Sequence, residues 1–252
     1  MVFELLIYVI IIAFVLEFFD ASAGMGYGTL TPILLLMGFD VLDVISAVIL
    51  TSAVLSLFAG FLHHGFENID FLKAKNIKVT LTLIGFGILA ISLGALIAVN
   101  IPETFLKVYI AILVSAIGIS ILKKKKKKHK FSWKKLVAFG SIASFNKGIS
   151  GGGYGPVLSG GQILSGVKSR QAVGITALSE GIVSTVGFFI FIFVTGHANL
   201  NWSLTISLLI GGFLSTPLAA YFVNRFHPKK LKYLIGITSI VLGIMILLKI
   251  IF

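Results

Sequence analysis

Much of this chain is too apolar to stay in water. The runs 77–99, 105–122 and 203–223 carry at most one charged residue each. A hydrocarbon layer about 30 Å thick is crossed by roughly 20 such residues in a helix. One soluble core cannot hide several runs of that length. Apolar residues make up 57% of the 252-residue chain and charged residues 12%, against about 45–50% and about 25% in soluble domains. The sequence therefore predicts an all-α, polytopic membrane protein whose solvent is the lipid bilayer. Ala21-Ser22-Ala23 imitates a signal-peptide cleavage site, but a basic n-region is missing and Glu4 stands in its place. The segment 3–19 reads as a retained membrane helix. The absence of cysteine excludes disulfides, thiolate chemistry and Cys-ligated metals.

The chain also repeats itself. Gly24-Met25-Gly26-Tyr27-Gly28 matches Gly151-Gly152-Gly153-Tyr154-Gly155 at a shift of 127. Ala47 and Thr51 match Ala172 and Thr176 at 125, and Pro102 matches Pro228 at 126. Leu106-Lys107 and Gly118-Ile119 match Leu231-Lys232 and Gly243-Ile244 at 125. Asn68-Ile69-Asp70-Phe71 resembles Asn199-Leu200-Asn201-Trp202 at 131. Matches in one order at so steady a spacing divide the chain into a membrane repeat at 1–122, a lysine-rich linker at 123–130 and a second repeat at 131–252.

Each half predicts a helix (3–19; 133–145) that runs into a glycine cluster, then a short apolar piece (30–37; 156–164). Three long segments follow: 44–62, 77–99 and 105–122, then 172–195, 203–223 and 231–251. The short pieces cannot span about 30 Å at about 1.5 Å per residue. They read as re-entrant or glycine-broken, which leaves four crossings per half, about eight transmembrane helices, and two halves of one orientation. If the short pieces do cross, the repeats are inverted. On the eight-crossing scheme thirteen lysines and arginines fall on the linker side and eight on the other. Both termini and the linker are then expected in the cytoplasm of a cell-membrane protein. That rule also accounts for much of the +12 net charge, which the run Lys123 to Lys128 dominates. No aromatic platform or basic face accompanies the run, so nucleic acid is not an expected partner.

The glycine clusters are the strongest functional signal. Matched glycine-interrupted segments in two halves point to a transporter's binding site. Glycine lets backbone N–H groups approach a ligand, and the helix after each cluster aims its positive end at an anion. Close helix packing explains small residues too, and it is the better account of Gly94/Ala98 and Ser215/Ala219.

With these motifs the sequence resembles the sulfite exporter TauE/SafE family over nearly its whole length. The likeness rests on Gly24 to Gly28 followed by Thr31-Pro32-Ile33-Leu34-Leu35, on Gly151 to Gly155, on Thr51-Ser52 and Thr176-Ala177, and on the Asn68 and Asn199 turns. Tyr27 and Tyr154 stand where that family's runs often carry glycine. The resemblance implies eight-helix transporters of sulfur-containing anions, including sulfite and sulfonates.

Buried charge supplies the remaining candidates, because an ionisable group at bilayer depth costs roughly 2.5–3.5 kcal/mol on insertion scales. Glu180 lies mid-helix, and its repeat mate is the apolar Leu55. Asp20 and Lys147 are mates, 127 apart, of opposite charge, each just before a glycine cluster. They are expected to pair or to flank one cavity. The expected anion site comprises Gly24, Gly26, Tyr27, Gly28, Thr51, Ser52, Asn146, Lys147, the cluster Gly151, Gly152, Gly153, Tyr154 and Gly155, with Thr176 and Ser179. Glu180 and Asp20 are the candidate proton carriers, and Glu17 is a weaker one. The implied partners are a small anion, protons or another coupling ion, and lipid; the chain could also self-associate. No cofactor or metal is called for. The sequence holds no GxxxxGK[ST] nucleotide loop.

Two other readings stay open. Broken helices also build channels. Gly148-Ile149-Ser150-Gly151 resembles the nucleophile loop of serine intramembrane proteases, which requires a histidine base near Ser150. The repeat aligns Ser150 with Ala23, so the glycine pattern does not need a hydroxyl there. His63-His64 is a poor metal pair, since adjacent helical residues point about 100° apart.

Overall fold

The structure is a computed structural model that describes residues 2–24, 26–123, 130–195, 200–223 and 228–251. Those residues form ten α-helices and a single 3-10 turn, with no strand among them. The first half holds α1 (Val2–Ala23), the turn Tyr27–Thr29, α2 (Leu30–Leu36), α3 (Val41–Gly65), α4 (Ala74–Asn100) and α5 (Glu103–Lys123). The second holds α6 (Trp133–Ser150), α7 (Tyr154–Leu164), α8 (Ser169–Thr195), α9 (Trp202–Phe222) and α10 (Pro228–Ile251). Met25, most of the linker, Asn199, His129, His197 and His227 lie outside the described residues. Helices α1, α3, α4, α5, α8 and α9 are each long and apolar enough to cross a bilayer. Large apolar side chains such as Leu93, Phe189 and Phe193 are exposed, as a lipid-facing surface requires. The chain is a polytopic α-helical membrane protein.

Contacts between named residues fix the helix directions. Ser132 N–H donates to Ser165 O at 3.0 Å, so α6 and α7 form a hairpin whose outer ends meet beside the linker. Helix α8 starts at the same face. There Arg170 Nε donates to Asn68 Oδ1 (3.2 Å), and Asn68 Nδ2 donates to Ala220 O (2.9 Å) near the end of α9. The opposite face is marked by Lys249 Nζ, near the end of α10, which donates to Leu35 O at 3.1 Å. Helix α1 runs parallel to α9, with Ile10 O against Gly211 and, further along both helices, Glu17 against Thr216. It therefore starts at that opposite face, and α2 returns the chain there.

These directions correct the expectation of two halves in one orientation. The short pieces neither end a crossing nor stand apart from one. Each reverses the helix before it, so helix plus return leave the chain on the face where it began. Three further helices then carry it to the other side, and the halves are inverted. A second correction follows. The start of α1 and the end of α10 lie on the face opposite the linker, so termini and linker do not share a side.

Local chemistry explains the reversals. Gly24 and Gly151 take left-handed φ of 64° and 70°, and their N–H groups close the preceding helices on Asp20 O (2.7 Å) and Lys147 O (2.8 Å). This is the left-handed cap that glycine adopts without a Cβ penalty. Small residues bring the helices together. A Cβ at Gly94 would strike Phe145 O of α6, and one at Gly211 would strike Ile10 O of α1, the backbone approach that small residues permit in membranes.

Candidate functional site

Lys147 lies on the last turn of α6 and is 1% exposed. A cation is favoured at that end of a helix, where carbonyls are unpaired. Its Nζ donates to Ser52 Oγ of α3 at 2.6 Å and to Glu180 Oε1 of α8 at 2.8 Å. The Tyr27 ring lies 5.8 Å from the same nitrogen. Four elements thus converge on one ammonium. Taking such a pair from water costs several kcal/mol per ion, recovered only with good geometry and further hydrogen bonds. Ser52 supplies one of those bonds.

Two more carboxyls approach from α1. Glu17 Oε1 accepts from Thr216 Oγ1 at 3.3 Å. Asp20 Oδ1 accepts from Tyr27 N–H at 3.3 Å, at the start of the 3-10 turn. A Cβ placed on Gly155 would sit 2.9 Å from that same oxygen, so the first turn of α7 can lie this close only as glycine. Glu17, Asp20 and Glu180, with Ser56 and Thr176, bound a cavity of about 10 Å³, which is room for about one water. One helical turn nearer the linker face, Ala21, Ala59, Ala177 and Ala219 form a small apolar cluster.

The glycine clusters meet each other. A Cβ on Gly28 would lie 3.0 Å from Gly153 N, and one on Gly152 would lie 3.2 Å from Gly28 O. The two reversals therefore pack backbone to backbone between the halves. The tyrosines that follow them behave alike. Tyr27 Oη donates to Thr51 Oγ1 (2.9 Å), and Tyr154 Oη donates to Ser179 Oγ (3.3 Å).

Two expected groupings are not formed. The partner of Lys147 is Glu180 rather than Asp20. Asn146 does not assist Lys147 either. Its Oδ1 accepts from Tyr109 Oη of α5 at 2.6 Å, because neighbours on a helix point about 100° apart. Gln162 is a buried residue the sequence reading passed over; its Nε2 donates to Thr176 Oγ1 at 2.8 Å. The signal was available, since its mates in the first half, Leu35 to Met37, are apolar. Ser150 Oγ donates to Asn146 O at 2.6 Å and lies 3.2 Å from Gly152 N, which donates to it across the reversal. The rings of His63 and His64 engage separate partners, Asn68 Nδ2 and Ile69 O.

Comparison with known proteins gives the chain a family. The family model described as "Sulfite exporter TauE/SafE" matches residues 9–246. A protein of Bacillus subtilis named "Probable membrane transporter protein YtnM" is 30% identical over 236 residues, covering 87% of this chain and 75% of the relative. No solved structure matches. The chain belongs to the sulfite exporter TauE/SafE family and is a multi-pass membrane transporter.

Proposed function

We propose that this transporter is a proton-coupled secondary exporter of a small anion, namely sulfite, a sulfonate or a related sulfur oxyanion. One observation carries the reading: a fully buried ammonium, Lys147, held between Ser52 and Glu180 where the two reversals meet. A cation at this depth needs an anion beside it, and a transported anion can be that partner. The family description supports sulfur anions, and the carboxyls around the cavity offer groups that exchange protons. The proposed substrate site is Lys147, Ser52 and the Tyr27 ring, backed by the glycine clusters; Glu180 and Asp20 are the proposed proton carriers. The repeat units are taken as 1–122 and 131–252.

Lys147, Ser52 and Tyr27 are buried, and the neighbouring cavity of about 10 Å³ is too small for such an anion, so the site is closed in this structure. Inverted repeats supply a natural pair of open states, one facing each side of the membrane. The alanine cluster covers the cavity on the side that faces the linker. The charge distribution supports a cytoplasmic linker. With the termini at the opposite face, twelve of the fifteen lysines and arginines among the described residues lie toward the linker; Lys107 and Lys249 lie toward the other face, and Lys147 is buried. Short loops rich in lysine stay inside.

The test is flux in proteoliposomes over sulfite, thiosulfate, methanesulfonate and sulfate, with and without a pH gradient. Saturable flux of one sulfur anion that responds to the gradient is expected. Non-saturable flux would make the protein a channel, and no flux of any of the four would end the anion reading.

A further inference from the structure

The two features that should attract an anion already hold one. Lys147 Nζ carries the Glu180 carboxylate at 2.8 Å, and the first amide of the 3-10 turn, Tyr27 N–H, faces the Asp20 carboxylate at 3.3 Å. Both carboxylates belong to the chain. Neither Ser52 nor the Tyr27 ring leaves Lys147 a second anionic partner among the described residues. A substrate anion therefore meets a site whose cation is taken.

We infer that Glu180 is a built-in occupant of the substrate position, and that the substrate anion displaces it from Lys147 as the protonated acid. The inference rests on the anion reading above. The step balances. The site starts with an ionised Glu180 paired to the Lys147 ammonium. One proton and one anion enter. The proton bonds to a Glu180 oxygen, and the anion takes the ammonium and the Ser52 hydroxyl. The charge of the site is the same before and after. That constancy matters here, because an unpaired charge is what a dry site tolerates least. Proton and anion are then coupled by shared occupancy, without a separate relay, and Lys147 is never left alone while the site is closed.

Other charged and titratable groups face Glu180, and the carboxyls among them compete for the proton. They are Glu17 and Asp20 from α1, Lys147 from α6, Tyr27 from the 3-10 turn and Tyr154 from α7. Helix α3 faces it with the hydroxyls of Ser52 and Ser56 and carries His63 at its linker end, against Gly174. Helix α9 offers the Thr216 hydroxyl beside Glu17. Among these, Glu180 is the carboxyl in contact with the ammonium, so it is the one whose release an incoming anion requires.

The experiment uses the full chain in nanodiscs, with methanesulfonate as a probe that stays a monoanion. Calorimetric titrations in buffers of different ionisation heat count protons bound per anion. One proton per anion is expected, with affinity falling about tenfold per pH unit while the free site is ionised. Infrared difference spectra of the wild type should show a protonated-carboxyl band appearing as methanesulfonate is added. Glu180→Gln should bind the probe with no proton uptake and no such band, at an affinity independent of pH over that range. Binding without proton uptake in the wild type overturns the inference and leaves the anion reading standing. Proton uptake that survives in Glu180→Gln and vanishes in Asp20→Asn or Glu17→Gln also overturns it. If Glu180→Gln does not fold, the wild-type proton count and infrared band decide alone. No binding of methanesulfonate or of the other three anions by the wild type removes both readings.

Discussion

The two halves share a backbone plan and differ in their charges. Gly24 and Gly151 cap their helices with the same bond, from N–H to the carbonyl four residues back. Tyr27 and Tyr154 both reach a hydroxyl on the long helix that follows, Thr51 and Ser179. Yet Lys147 stands where the first half has Asp20, Glu180 where it has Leu55, and Ser52 where the second has Ala177. The lesson is a division of labour. Symmetric parts set the reversals and hence the two open states. Asymmetric parts place one ammonium and three carboxyls at the join, so chemistry breaks a symmetry that the scaffold keeps.

The largest expected effect tests the inversion itself. The chain has no cysteine, so single cysteines report cleanly. Lys126→Cys in the linker should be labelled only from the cytoplasm. Glu103→Cys, at the start of α5, should be labelled only from outside. Lys168→Cys, just before α8, should be labelled from the same side as Lys126→Cys. Labelling of Lys168→Cys and Lys126→Cys from opposite sides would undo the inverted arrangement.

Next comes the asymmetric pair. Lys147→Met strands Glu180, and Glu180→Leu, which copies the first half, strands Lys147. Each should cost about 3–5 kcal/mol of stability and lower flux by roughly 100-fold or more, equivalent to about 2.7 kcal/mol in barrier. The double variant restores an apolar match, so stability should return to near wild type while transport stays lost. A double-mutant cycle on unfolding and flux reads both. Transport in the double variant would show that the pair serves folding alone.

A smaller effect separates two glycines that the repeat treats as equals. Gly26 has φ 150° and a Cβ there would lie 2.5 Å from Leu16 O. Gly153 has φ 78°, and its nearest obstacle is the end of the Ile117 side chain at 3.2 Å. Gly153→Ala should cost about 1–2 kcal/mol, the penalty of left-handed backbone. Gly26→Ala should cost more, because backbone cannot move aside as a side-chain tip can. Equal melting shifts in the two variants would restore the symmetry at this pair.

These contrasts also show what the sequence makes legible. Apolar run length is a direct consequence of bilayer thickness, so the places of the long apolar helices and the membrane class could be read. The repeat could be read because it is identity at fixed spacing. Lys147, Glu180 and Asp20 stood out because charge inside an apolar stretch is a local fact; Ser52 entered only as a polar position within the Thr51-Ser52 element. Helix direction could not be read in this way. It depends on whether α2 and α7 advance the chain or return it, and 7 or 11 residues of apolar helix are compatible with either. Partner choice was hidden for a related reason. The bond between Lys147 and Glu180 joins α6 to α8, while Asn146, one residue away, turns to Tyr109 on α5. A rotation of about 100° per residue decides which neighbour each meets, and helix packing, not spacing along the chain, sets what lies there.

The smallest effect concerns Ser150 and its mate Ala23. The Ser150 hydroxyl donates to Asn146 O and accepts from Gly152 N–H. It therefore stitches the end of α6 to the reversal. The first half makes the matching reversal with alanine, and its capping bond from Gly24 N–H is as short. The hydroxyl is thus an addition to a turn that glycine already closes. Ser150→Ala should lower stability by about 1 kcal/mol, the usual worth of a buried hydrogen bond, and leave the flux of the chosen anion within about twofold of wild type. The same change is the sharpest test of the nucleophile reading, which needs this oxygen for every turnover. Abolished function in a Ser150→Ala protein that melts near wild type would mean that the second half's loop does chemistry the first half cannot. Retained flux would place Ser150 with the scaffold, on the symmetric side of the comparison despite its different side chain.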